Sequence, residues 1–241
     1  MHTSQLPLLH LSRWHQKATL RAIYQDYYDT MKKWCAEGDT LEIGSGTGHA
    51  GYMGSDIILT DIAFAPWLDL ACDAQALPFK DKTFSNIILF DVLHHISRPA
   101  RFLMEAERIL RTGGRLIMLE PGITPVSYLF YNYFHEEDVD LAADSLDMST
   151  PALKNPYQGN QGLPTQLFGR DKLRMDSIVP KLKLINKSWL SLFAYPLSGG
   201  FKSWTLLPTT WVQPVLAFER LLLPLMGRLS AFRLFVVLEK Q

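Results

Sequence analysis

Thr40-Leu41-Glu42-Ile43-Gly44-Ser45-Gly46-Thr47-Gly48 is the stretch that decides the fold. A short apolar run of strand type follows a Gly38-Asp39 break and meets glycines at alternate positions. Glycine lets a backbone turn sharply and approach a ligand closely, because no Cβ stands in the way. Glycine loops between a strand and a helix serve several nucleotide-like cofactors, so the loop alone does not choose among them. The spacing narrows the choice. A dinucleotide fingerprint runs Gly-x-Gly-x-x-Gly and sets a pyrophosphate on a helix N-terminus. Gly44, Gly46 and Gly48 depart from that pattern, and Glu42 stands two positions before the first of them. An acid beside the loop suits a ligand with positive charge and no phosphate.

Outward from the loop, residues 56–60, 67–71, 86–90 and 115–119 are short apolar runs bounded by turn residues or acids. Such runs suit strands buried on both faces of a parallel sheet. Between the last two, Phe102, Leu103, Ala106, Ile109 and Leu110 share a helical face, and Pro99 suits its first turn. Gly113-Gly114 is expected to stop that helix. Strand, helix and strand in this order form a right-handed crossover. The expected fold class is α/β: a Rossmann-like, doubly wound, mostly parallel sheet with an antiparallel last strand, shortened first helices and a C-terminal elaboration. One domain is expected over 1–241. It comprises a helical cover at 1–37, a cofactor-binding core at 38–122, a lid or acceptor region at 123–180, and C-terminal strands and helix at 181–241. Residues 11–35 have helical periodicity; 181–194 and 231–239 have strand character, and 208–229 reads as a helix with proline breaks.

Acids punctuate the strand ends. Asp61 closes the second run, Asp73 follows the third in Cys72-Asp73-Ala74, and Asp91 follows the fourth. The carboxyl ends of strands are where open α/β sheets bind ligands. Asp61 suits both hydroxyls of a ribose, although alone it also reads as a solvated strand-end acid. Asp73 suits an adenine amino group with Leu77-Pro78-Phe79 packed on the ring, and alone it also reads as a turn residue.

Together with Val92-Leu93-His94-His95 and residues 111–121, these motifs resemble the class I S-adenosylmethionine (SAM) dependent methyltransferases, more narrowly the methyltransferase-11 type. The resemblance covers about residues 38–122. It implies SAM as the cofactor, with Glu42, Gly44, Ser45, Gly46 and Gly48 around its methionine portion. It also implies Asp61 and Ile62 at the ribose, Asp73 and Ala74 at the adenine, and Phe90-Asp91 entering the site from the fourth strand. SAM carries an ammonium, a carboxylate and a sulfonium, in keeping with an acid beside the loop. One departure stands out. Only thirteen positions separate Gly48 from Asp61, including His49-Ala50-Gly51-Tyr52-Met53-Gly54, and twelve separate Asp61 from Asp73. The first helix must therefore be short, and the second has no room. The N-terminal helix, with Tyr24, Tyr27 and Tyr28, is the candidate cover for the exposed cofactor face.

Methyl transfer from a sulfonium is an in-line displacement that depends on positioning and exclusion of water. A base is needed where the acceptor must lose a proton. His94 and His95, just beyond the fourth strand, are the candidate catalytic residues; capping the next helix is their structural alternative. His135-Glu136-Glu137-Asp138 is a second candidate group, against a solvated acidic loop. Glu120 ends the fifth strand and also faces the site edge, with a structural hydrogen bond as its alternative. Tyr128, Phe130, Tyr131, Tyr133 and Phe134 suit either an acceptor pocket or core. No spaced acid pair matches a chelating site, so no metal is expected.

Lys+Arg and Asp+Glu both number 24, so no overall field favours nucleic acid or an anionic membrane. The expected partner is a small-molecule or lipid-linked methyl acceptor, with no nucleic acid. Cys35 and Cys72 lack disulfide or metal spacing and suit a reducing cytoplasm, and no signal peptide is read at the N-terminus. Prolines and charges interrupt 206–226, against a spanning helix; the run 221–226 reads as core in preference to a partner or peripheral membrane contact. Two rivals are weighed. An NAD-linked oxidoreductase is disfavoured by the glycine spacing and by Tyr28 standing where a Tyr-x-x-x-Lys pair from Tyr24 needs lysine. A SAM-binding methyltransferase-like protein with an assembly or regulatory role, and no turnover, shares the cofactor motifs.

Overall fold

The helices and strands follow in the order α1 (Leu6–Gln16), α2 (Ala18–Lys32), β1 (Thr40–Ile43), β2 (Ile57–Asp61), β3 (Leu70–Ala71), β4 (Phe84–Phe90), α3 (Pro99–Ile109), β5 (Leu110–Pro121), α4 (Pro125–Phe134), α5 (Leu163–Leu167), α6 (Lys172–Ile178), β6 (Leu182–Leu190), α7 (Ala194–Ser198), α8 (Val212–Ser230) and β7 (Arg233–Lys240). The computed structural model describes residues 6–48, 54, 56–134, 137–149 and 158–241. The sheet order is β3-β2-β1-β4-β5-β7-β6. β1 to β5 pair in parallel, and β7 runs antiparallel to both β5 and β6. This is the mostly parallel sheet with an antiparallel last strand that the sequence predicts.

Period-two alternation assigns each strand side chain to one of two cores. Ile87, Leu89, Leu116 and Met118 face α3, through Phe102, Leu103 and Ala106. Ile88, Phe90, Ile117 and Leu119 face the other way, toward Leu20, Ile23 and Tyr27 of α2 and Leu216 of α8. β4 is buried along its whole length because both of its faces are covered. Strand order reverses between β1 and β4, which opens a crevice at their carboxyl ends.

Several local expectations are corrected. The N-terminal helical region is two helices broken at Lys17, whose buried ammonium donates to the carbonyls of Ser198 (2.7 Å), Gly200 (2.6 Å), Lys202 (3.1 Å) and Trp204 (2.8 Å). That lysine straps the N-terminal cover to the segment after α7. α3 ends at Ile109, and Gly113-Gly114 lies inside β5. There β4 pairs Phe84 with Leu110 but Asn86 with Arg115, so the glycines absorb a register shift. No helix forms between Asp61 and Asp73, as the spacing requires; the expectation of a short first helix after Gly48 falls largely on 49–53 and 55, outside the described residues.

The run 221–226 is not core. Leu221 and Leu225 are 75% and 85% exposed, and Phe218 and Leu229 also face outward. α8 gives its inward positions to Val212, Leu216, Gly227 and the carboxylate of Glu219, which accepts the backbone N–H groups of Leu192, Phe193 and Ala194. The aromatic helix α4 splits similarly: Tyr131 is buried, whereas Leu129, Tyr133 and Phe134 are exposed. Among the described residues, no helix is long and apolar enough to cross a membrane.

Candidate active site

The glycine loop leaves β1 through residues of positive φ, at Gly44 (70°), Gly46 (50°) and Gly48 (74°). The end of β2 fixes it. Ser45 N–H donates to Thr60 O (2.9 Å), Gly46 N–H to Asp61 Oδ2 (2.9 Å), and Thr60 Oγ1 to Glu42 O (2.8 Å). Trp67 covers the far side, donating from its indole to Gly46 O at 2.9 Å. The loop, Asp61, Ile62, Asp73, Ala74 and Asp91 thus meet on the carboxyl edge of the sheet, around a cavity of about 410 Å³. Of the sequence-derived cofactor residues, Gly44, Ser45, Gly46, Asp61, Ile62, Asp73, Ala74 and Asp91 line it. Glu42 and Gly48 stand behind the lining. Asp73 also holds a turn, accepting from Gln75 N–H at 2.8 Å. Leu77 and Phe79 do not reach the cavity. Glu105 and Arg108 of α3 bind the backbone of Leu77, and Phe79 packs edge-on to Phe84 in the core.

Glu42 is buried at 2% exposure. Its Oε1 accepts from the Tyr28 hydroxyl at 3.0 Å, and its Oε2 has no hydrogen-bond partner. Burial pushes its carboxyl up to about 7, against the opposing pull of the Tyr28 hydroxyl and neighbouring Ser45. An orphaned carboxylate oxygen beneath a glycine cradle is the feature a cationic amino-acid moiety would satisfy. Tyr24 and Tyr28 bring α2 over the cavity, Tyr24 stacking on Phe90 with ring centroids 4.6 Å apart.

Beyond Asp91 the cavity changes character. His94 and His95 enter on a 3-10 turn, Leu93–His95. His94 is 3% exposed; its Nδ1 lies 2.8 Å from Glu120 Oε2 and its Nε2 3.4 Å from Glu137 Oε2. His95 Nε2 lies 3.7 Å from Glu137 Oε1. Glu120, fully buried, also accepts the backbone N–H groups of Val92 (3.0 Å) and Leu93 (2.8 Å). Burial alone would lower the His94 pKa, but the hydrogen bonds to Glu120 and Glu137 outweigh it and lift the ring to about 9. Gly159 packs on this group so closely that a Cβ there would sit 2.7 Å from His94 Cδ2. His135 and Glu136 lie outside the described residues, and Asp138 is not in the cavity wall.

Among the cavity residues that sequence reasoning missed are Arg233 and Gln161. Arg233 opens β7, is 2% exposed and is ion-paired with Asp91; its guanidinium sits 4.1 Å over the Tyr195 ring. Gln161 donates to Glu137. A lone cation at the head of an apolar strand was the signal for Arg233; Tyr195 stood in an aromatic stretch, and Gln161 carried no signal. Among the described residues, two groups bring three ligand-type atoms within 4.8 Å: His94, His95 and Glu137, and Asp91, His94 and Glu120. His94 belongs to both. In its protonated form the ring donates from both nitrogens, and a metal there would have to displace a proton.

Residues 41–118 match the family model described as a methyltransferase domain. Among curated proteins, an uncharacterised protein of Methanocaldococcus jannaschii is 31% identical over 40% of this chain and 51% of its own length. The ubiquinone/menaquinone biosynthesis C-methyltransferase of Roseobacter denitrificans is 32% identical over 41% of this chain and 49% of its own. The chain thus spans about half the length of these relatives. Geranyl diphosphate C-methyltransferase from Streptomyces coelicolor A3(2), solved with S-adenosyl-L-homocysteine, shares the fold with a TM-score of 0.53 at 13% identity, over 91% of this chain and 77% of that one. The strand order, the glycine loop and the match over residues 41–118 agree with one another: over that stretch the chain is a methyltransferase domain, on the fold of the class I SAM-dependent methyltransferases.

Proposed function

We propose that the protein transfers a methyl group from SAM to a small-molecule or lipid-linked acceptor. The observation that carries this reading is one continuous cavity with two unlike halves. The glycine loop and the strand-end acids Asp61 and Asp73 line one half; Tyr131, Tyr195, Glu137, Arg233, His94 and His95 line the other. SAM supplies an electrophilic methyl on a sulfonium. The chain's own residues would hold its ribose at Asp61, its adenine beside Asp73 and Ala74, and its ammonium above Glu42. Tyr24 and Phe201 would close the cavity against water, as displacement at a sulfonium needs. His94, held charged between Glu120 and Glu137, fixes the Glu137 carboxylate at the acceptor half; His95 is the residue placed to take a proton. The matched C-methyltransferases of quinone biosynthesis support a small, partly apolar acceptor. The outward apolar row Phe218, Leu221, Leu225 and Leu229 on α8 supports the lipid-linked branch. Methyl-labelled SAM incubated with the protein and a lipid and small-molecule extract should label one organic-soluble product. Labelling of tRNA alone would sink the proposal, and SAM binding without turnover on any extract would favour the assembly role.

The Glu42 carboxyl gives this reading a pH signature. A carboxyl raised to about 7 in the folded protein is protonated in the ligand-free form through the weakly acidic range. The sign follows: native-state stability from this group is greatest below about 4.5 and is lost as pH rises through 7, by roughly 3 kcal/mol in all. A cationic ammonium favours the ionised form. SAM affinity is therefore expected to rise about tenfold between pH 6 and 8 by calorimetry, and Glu42→Gln should abolish that slope. A flat profile in the wild type would contradict the placement of the ammonium at Glu42.

Because His94 keeps its proton between Glu120 and Glu137, transfer should need no divalent ion. Dialysis against EDTA is expected to leave the rate of methyl transfer within twofold; a loss restored by added Mg²⁺ or Zn²⁺ would contradict the proton-holding role.

A further inference from the structure

We propose that Arg233 and the rings around it form a subsite for an anionic oxygen of the acceptor, so that the substrate is a planar organic anion of the aromatic carboxylate type. The inference rests on the methyl-transfer reading and names the class of its acceptor. Arg233 is 2% exposed at the head of a strand that continues Leu234-Phe235-Val236-Val237-Leu238, where an apolar residue would complete the core. Burying a guanidinium is costly unless its donors are satisfied. Here they are not. Nη1 is paired with Asp91, the planar face lies 4.1 Å over Tyr195 and 5.9 Å from the Phe90 centroid, and Nε has no hydrogen-bond partner. A single carboxylate meets only part of a fork with five N–H donors. Asp91 itself is held at φ 58°, a left-handed conformation that costs a non-glycine residue free energy and that clusters at ligand sites.

Position points the same way. β7 lies three places from β1 in the sheet, so Arg233 reaches the cavity from the side opposite the glycine loop. On that side Asp91, Glu120 and Glu137 surround Arg233 and His94. Tyr24, Phe90, Tyr131 and Tyr195 supply flat apolar walls for a planar body. A carboxylate could also come from SAM's own amino-acid end, and the two sources separate experimentally.

The test is calorimetry on the full chain. S-adenosylhomocysteine is titrated first; 4-hydroxybenzoate and its neutral counterpart 4-hydroxybenzamide are then titrated into protein saturated with it. The wild type is expected to bind the carboxylate at least tenfold more tightly than the amide, and Arg233→Met should bring the two within twofold. Its S-adenosylhomocysteine affinity should stay within threefold of wild type. Where Arg233→Met does not fold, Arg233→Lys keeps a cation for Asp91 but loses the fork, and should cut the preference at least threefold. Equal binding of the two probes, absence of carboxylate binding, or a preference that survives both variants overturns the proposal. A tenfold loss of S-adenosylhomocysteine affinity in the variant also overturns it, assigning the subsite to the cofactor's carboxylate. If the wild type binds no S-adenosylhomocysteine at all, the SAM reading itself fails, and this inference with it.

Discussion

Gly44→Ala is expected to reduce SAM affinity at least a hundredfold and to cost the ligand-free protein about 2–5 kcal/mol. Two effects add. Gly44 has φ 70°, where an L side chain pays roughly 1–2 kcal/mol. A Cβ there would also lie 2.3 Å from Val92 Cγ2 and 2.7 Å from Val92 Cγ1, so something must move. Val92 cannot retreat cheaply, because its amide is bound to the buried Glu120 at 3.0 Å. The loop must move instead, and with it the amides of Ser45 and Gly46 that tie it to Thr60 and Asp61. Gly113→Ala is the control. Its φ is 78°, but nothing lies within 4 Å of its added Cβ, so it should cost about 1 kcal/mol and leave SAM binding unchanged. Val92→Ala in the Gly44→Ala background removes the clash and should restore part of the affinity. Calorimetric SAM binding by Gly44→Ala within tenfold of wild type would show that the loop does not cradle the cofactor.

The cofactor half was legible because its signals are local. A strand, a glycine spacing and an acid at each strand end lie within a few residues of one another, and parallel strands bring all their carboxyl ends to one edge. The other half is built by contacts between residues far apart in the chain. Arg233 meets Asp91 across 142 positions, and Lys17 reaches carbonyls 181 to 187 positions away. No periodicity announces such partners. α8 was misread for a related reason. Its run of leucines suggests an inward face, but Glu219 takes an inward position to bind the N–H groups of Leu192 and Ala194 at 3.0 and 2.5 Å, and the helix turns Leu221 and Leu225 outward. The satisfaction of three buried amides outweighed the burial of apolar side chains, each worth about 1.5–3 kcal/mol.

Glu120→Ala is expected to be among the most damaging substitutions in the molecule, on the order of 3–5 kcal/mol, because it leaves a buried cation and two backbone amides without their acceptor. The fully buried carboxylate accepts from Val92, Leu93 and His94 at once, at 3.0, 2.8 and 2.8 Å. It therefore sets both the His94 ring and the Val92 wall of the glycine loop. The charge on His94 carries a pH dependence of definite sign. A histidine raised from 6.5 to about 9 stabilises the fold fully below 6.5, and that contribution is lost as pH rises through 9. Its size is roughly 3 kcal/mol. Thermal unfolding should accordingly show a falling Tm between pH 7 and 10 in the wild type. Glu120→Gln keeps the volume and an acceptor for the amides but removes the charge, so Tm at pH 7 should drop while the alkaline decline becomes shallow. His94 observed by NMR should then titrate well below its wild-type value. The two halves of the site meet here, since a carboxylate that holds the acceptor-side histidine also fixes the residue against which Gly44 packs. A Glu120→Gln protein with unchanged Tm and an unchanged alkaline slope would mean that His94 is held by Glu137 alone, and that the glycine loop has no support from the fifth strand.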